Sequence, residues 1–153
     1  MKIGTTLLSF SDRPNANGNI FQYDSIDVSK YQERIDNGTA LGMLSDEEMT
    51  PEIHFHKVSH IVTNLEKTKN GISGTIEILD TPKGRIAKNL LDAGLLTSSL
   101  RSFGTVDSDG KVHVEEIISF DLTLASSSLV AFNPDDYRNR RFSLSIKGEI
   151  SRI

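Results

Sequence analysis

Cysteine is missing from this chain of 153 residues, so neither a disulfide framework nor a thiolate metal site is open to it. Positive charge is not in excess either: 17 Lys and Arg stand against 21 Asp and Glu, a formal net charge of −4. A nucleic-acid binder draws affinity from neutralising phosphates, and this balance argues against one. The one basic knot, Arg138-Asn139-Arg140-Arg141, follows Asp135 and Asp136 and reads as a solvated turn. No apolar run nears the roughly 18 residues of a membrane span. A signal-peptide pattern, an internal repeat and a low-complexity tract are missing as well. The expectation is a soluble globular protein, one domain over residues 1–153, with no cofactor, no metal, no membrane contact and a core that needs no staples.

What is present is mostly strand. Residues 2–10 read as a strand, and Asp12 to Gly18 as a polar loop rich in turn formers. Residues 25–37 suit a helix, with Val28, Tyr31 and Ile35 on one side and Gly38 as its stop. Residues 45–52 form an acidic loop. Strands follow around 55–66 and 71–79, joined at Lys69-Asn70-Gly71. A second helix over 82–93 has Thr81 as N-cap, Pro82 in its first turn, Gly94 at its end, and Ile86, Leu90 and Ala93 as its buried stripe. The turn Asp107-Ser108-Asp109-Gly110 leads into a long strand with apolar residues at 112, 114, 120, 122 and 124. The last strand alternates cleanly through Phe142, Leu144, Ile146 and Ile150. The pattern is mainly β with two helices, an antiparallel sheet curled into a barrel or sandwich.

Ser99 and Arg101 lie on the strand that follows the second helix. Successive strand side chains alternate faces, so these two share one face about 7 Å apart. A nucleophile beside a fixed cation is raw material for acyl transfer, where charge develops on an oxyanion. In the blander reading Ser99 is a small strand residue and Arg101 pairs with an acidic neighbour. His54, His56 and His60 have even numbers on one predicted strand and so share a face there. His60 could then reach Ser99 as its base, or pack in the core with both ring nitrogens satisfied. A metal site from these histidines needs a further ligand such as Glu52, and no spacing fixes that geometry.

The run from Thr81-Pro82-Lys83-Gly84 through Gly94 to Ser99-Leu100-Arg101-Ser102-Phe103-Gly104 resembles the nucleophile region of the prohead core proteases of T-even-type tailed phages. Their Thr-Pro-x-Gly helix start, terminal glycine and Ser-x-Arg-x-x-Gly are matched here in order. Their loop Asn-x-Asn-Gly-x-x-Tyr is met by Asn15-Ala16-Asn17-Gly18-Asn19-Ile20-Phe21, and a Ser-His pair by Ser59-His60. The resemblance covers about residues 4–135. It implies a prohead-protease fold, also similar to tail-tube subunits and to herpesvirus assembly proteases.

Two chemical positions depart from that family. Its Ala-Leu-Gly-Glu-Leu-x-His-Pro carries the general base, and this chain reads Ala40-Leu41-Gly42-Met43-Leu44-Ser45-Asp46-Glu47, with Asp46 at the histidine position. Where the family has an aspartate in Phe-Asp-x-Val, this chain has the serines Ser126-Ser127-Ser128. Aspartate, with a reference pKa near 4, is a far weaker base than imidazole and a poor proton donor to a leaving amine. None of the nine glutamates has leucine or isoleucine two residues before it, the pattern such proteases cut.

The resemblance with these departures implies a vestigial site at Ser99, Asp46, His60 and Arg101. It implies a phage virion or assembly protein that is put together in the host cytoplasm and binds capsid, scaffold, neck or tail proteins, with a homo-oligomer possible. Two other readings stand beside it: an active maturation protease using Ser99 with His60, and an inhibitor or regulator of a true prohead protease.

Overall fold

The computed structural model describes residues 1–15, 18–45, 52–124, 142–144 and 150–152. Its strands are β1 (Lys2–Ser9), β2 (Leu41–Met43), β3 (Val58–Thr68), β4 (Gly71–Ile78), β5 (Leu96–Val106), β6 (Val112–Leu124), β7 (Phe142–Leu144) and β8 (Ile150–Arg152). Its helices are α1 (Ser29–Asp36) and α2 (Pro82–Asp92). One sheet has the order β2-β3-β4-β1-β8 and the other β6-β5-β7, with antiparallel ladders throughout. The mainly-β architecture with two helices expected from the sequence is what the chain adopts. The two sheets meet at seams. Leu44 bridges Leu122 beyond β2, and Ser98 Oγ donates to the Thr6 carbonyl at 2.9 Å. Between the sheets lies a core of Ile3, Leu7, Leu8, Ile72, Ile76, Leu100, Phe120 and Leu122.

Local chemistry explains where the elements begin. Asp27 Oδ1 accepts the Ser29 N–H at 2.9 Å, so α1 starts at Ser29 and not at residue 25. The preceding Tyr23–Ser25 is a separate 3-10 turn, closed by the Ser25 hydroxyl accepting the Gln22 N–H. β3 likewise starts late. Phe55–Lys57 forms a 3-10 turn, which leaves His54 and His56 ahead of the strand and only His60 on it. The expected sharing of one strand face by three histidines is therefore corrected. The terminal strand also differs: β7 pairs with β5 and β8 with β1, so the two described pieces lie in different sheets.

The second helix follows its capping signal. Thr81 Oγ1 accepts the Gly84 N–H at 2.9 Å and donates to the Val58 carbonyl at 2.6 Å, tying the helix start to β3. Its buried stripe is Gly84 and Ala87, with Leu90 and Leu91 partly buried, whereas Ile86 is 46 % exposed. The expected stripe was out of phase because the contact point is a glycine, which hydropathy does not mark. A Cβ on Gly84 would overlap the Leu79 carbonyl and meet the Ser59 carbonyl at 3.0 Å. Gly84→Ala is expected to lower stability by about 1–3 kcal/mol in urea unfolding, because overpacking against rigid backbone outweighs the gain of about 1 kcal/mol in helix propensity.

The outer edge of β6 is closed piecemeal. The Val112 N–H donates to the Ile20 carbonyl at 2.9 Å, and Arg34 Nη1 donates to the Ile117 carbonyl at 3.0 Å. His60 Nε2 reaches the Phe120 carbonyl at 2.7 Å, and the Ser45 N–H donates to the Leu122 carbonyl at 2.9 Å. An open strand edge invites pairing with another chain, and here four separate stretches of sequence cover it.

Candidate functional site

Ser99 and Arg101 do share a face of β5. Ser99 stands opposite Asp121 and Arg101 opposite Ser119 on β6, so all four side chains belong to one face. All are buried; Ser99 is 3 % exposed and Arg101 4 %. Asp121 holds the group together. Its Oδ2 accepts Arg101 Nε at 2.8 Å, and its Oδ1 accepts the Ser119 hydroxyl at 2.7 Å and the Met43 N–H at 3.1 Å. The guanidinium also donates from Nη2 to Ser45 Oγ at 3.0 Å. One carboxylate thus fastens β6 to β5 by charge and to β2 by a backbone N–H.

His60 occupies the neighbouring position on β3, opposite Gly42. Phe120 offers a carbonyl, which only accepts, so His60 Nε2 carries the proton of that 2.7 Å bond. Burial pushes the imidazole pKa down and keeps the ring neutral, with the Phe120 carbonyl and the Asp121 charge opposing only in part. Nδ1 is then an acceptor, and the Ser59 hydroxyl donates to it at 2.7 Å. Both ring nitrogens are engaged, neither with Ser99. Gly42 makes room for this: a Cβ there would overlap the ring and the Phe120 carbonyl oxygen.

The remaining candidates separate. Asp46 lies outside the described residues, as do Ser126, Ser127 and Ser128, the acidic residues 46–51 and the basic knot at 138–141. Ser45, directly before Asp46, is fixed against Arg101 and β6. The His54 and His56 rings lie tilted at 49° with centroids 5.7 Å apart, and His54 approaches Glu52 at 3.9 Å. Among the described residues no three potential ligands converge on a metal position.

Asp121 is the residue that the sequence reading missed. It sits among Ser119, Asp121 and Thr123, which alternate with Phe120, Leu122 and Leu124, so it passes for the solvated side of a half-buried strand. An acid on a strand opposite a serine and an arginine is a signal only once the register is known.

Chemically, one face of β5 and β6 carries a hydroxyl, a cation and a carboxylate, and the His60 imidazole bonds the Phe120 carbonyl next to Asp121 in the chain. The cation is neutralised by the carboxylate, and the imidazole is turned to backbone and to Ser59. No protein-family model matches the chain, and no curated protein matches it in sequence. In three dimensions it is similar to the bacteriophage T4 capsid assembly protease, gp21, with a TM-score of 0.62, 16 % sequence identity, and coverage of 81 % of this chain and 82 % of that one. At that identity the likeness shows the fold: the two sheets and two helices are built on the plan of a capsid assembly protease.

Proposed function

We propose that this chain is a phage assembly protein on a prohead-protease fold, acting by binding capsid-related proteins and not by cutting them. One observation carries the reading: neither ring nitrogen of His60 is offered to Ser99, since Nδ1 accepts from Ser59 and Nε2 donates to Phe120. A serine that this imidazole does not serve lacks the base best suited to take its proton near neutral pH. Arg101 adds to this. Its charge is held by Asp121 at 2.8 Å, which weakens the field it could apply to an oxyanion. Asp46 at the position of the family's general base points the same way. In this reading the chain is assembled in the host cytoplasm and carried into the virion.

The competing reading, a working protease, draws on the fold of a capsid assembly protease and on the shared face of Ser99 and Arg101. Purified protein is expected to leave a fluorogenic peptide with a leucine-x-glutamate site uncut, and a serine-directed phosphonate is expected not to label Ser99. Cleavage that disappears in Ser99→Ala would establish the protease instead, and His60→Ala would then show whether that imidazole rearranges to serve it.

A further inference from the structure

A small cavity of about 170 Å³ lies between the end of β1 and the loop before α1, lined by Ser9, Ser11, Arg13, Pro14, Asn15, Asn19 and Phe21. Ile20 bridges Lys111 at the turn end of the β5–β6 hairpin. Ser99 is seven residues down β5 from Val106, roughly 20 Å away along the strand. The cavity is therefore a place of its own.

Its lining is rich in donors and has no carboxylate among the described residues. Arg13 is exposed and makes no ion pair among the described residues. Asn19 is only 6 % exposed, yet its Nδ2 has no acceptor among the described residues. Such a buried donor costs roughly 1–3 kcal/mol unless something accepts from it. The backbone of Asn19 is fixed by Asn15: Asn15 Oδ1 accepts the Asn19 backbone N–H at 3.0 Å, and the Asn15 N–H donates to the Asn19 carbonyl at 2.8 Å. Ser11 Oγ accepts the Arg13 N–H at 3.1 Å, which leaves its own O–H to donate elsewhere. Phe21 and Pro14 supply apolar wall.

We infer that this cavity is a carboxylate subsite, taking the acidic side chain of a partner segment between Arg13 and Asn19. The volume is too small for an ordinary ligand of 300–1,000 Å³ and suits a single side chain. A planar carboxylate matches the guanidinium fork and can accept from the amide and the serine hydroxyl together. The apolar wall receives the methylene stem. The subsite does not depend on whether Ser99 is reactive.

The test is an NMR titration of the ¹⁵N-labelled full chain with N-acetyl-glutamate amide, with inorganic phosphate as a second arm and chloride as the ionic-strength control. Saturable shifts at Ser11, Arg13 and Asn19, including the Asn19 side-chain NH₂, are expected with the glutamate compound. Arg13→Gln, at an exposed position, is expected to weaken that binding about tenfold or more while the rest of the spectrum is unchanged. Shifts that never saturate, shifts that Arg13→Gln leaves intact, or saturation by phosphate alone would overturn the carboxylate assignment. A response in neither arm would overturn it too, and would mean that a trapped water satisfies Asn19.

Discussion

Asp121→Ala is expected to lower the unfolding free energy by about 3–5 kcal/mol, the cost of stripping a buried ion pair of one partner. Three donors converge on that carboxylate, Arg101 Nε, the Ser119 hydroxyl and the Met43 N–H, and the same guanidinium donates to Ser45 Oγ. Removing the anion leaves the guanidinium buried and uncompensated and the Met43 N–H without its acceptor. Typical proteins of this size have only about 5–15 kcal/mol to lose, so the variant should sit near the edge of folding. Urea unfolding measures it. The sharper form is the cycle with Arg101→Met. The double variant should recover part of the loss, because a neutral pair leaves no orphaned charge. A loss below about 1 kcal/mol for Asp121→Ala would mean that the carboxylate does not hold the sheets together.

The second large effect is a dependence on acid. The folded-state pKa of His60 lies below its ordinary value near 6.5, chiefly because burial penalises the charged ring. The unfolded chain therefore binds a proton before the folded one does. Stability is fully present above about pH 6.5 and is lost as the pH falls from there through the folded pKa, at up to about 1.4 kcal/mol per pH unit. Asp24, Asp27, Asp80 and Asp107 also have lowered pKa values, but theirs start from ordinary values near 3.8 and act in more acidic solution. The window between pH 6.5 and 5 lies above those carboxylates, and comparison with a His60 variant assigns the slope to this imidazole. Urea midpoints across it should slope for the unmodified protein and flatten for His60→Gln. A flat profile in the unmodified protein would show that His60 is charged when folded or is not buried.

How much of this was legible in the sequence depends on the reach of each signal. Thr81-Pro82 with Gly94, the turn Lys69-Asn70-Gly71 and the turn at Asp107–Gly110 are local devices, and each is where it was expected. The shared face of Ser99 and Arg101 follows from strand alternation alone. The role of Asp121 was out of reach. The β5–β6 register shifts twice, between Arg101 and Ser102 and between Phe103 and Gly104, so no count from the turn finds its partner. The helix phase failed at Ile86 because a glycine, not an apolar residue, marks the point of contact. Gly42 read as part of a motif, and its physical purpose shows only when the His60 ring and the Phe120 carbonyl are both in place. Asp46 and the serines 126–128 lie outside the described residues.

The four caps on the edge of β6 bear on the order in which the molecule assembles. The β5–β6 hairpin closes over a short turn, whereas Arg34 reaches Ile117 across 83 residues and Met43 reaches Asp121 across 78. Long loops cost entropy before their contacts give anything back, so the hairpin can form early while its edge waits for the amino-terminal half to arrive. Interactions made after the rate-limiting step leave the folding rate nearly untouched and appear in the unfolding rate. The cluster around Asp121 is then a latch on the finished molecule: weakening it shortens the lifetime of the folded chain more than it delays its formation.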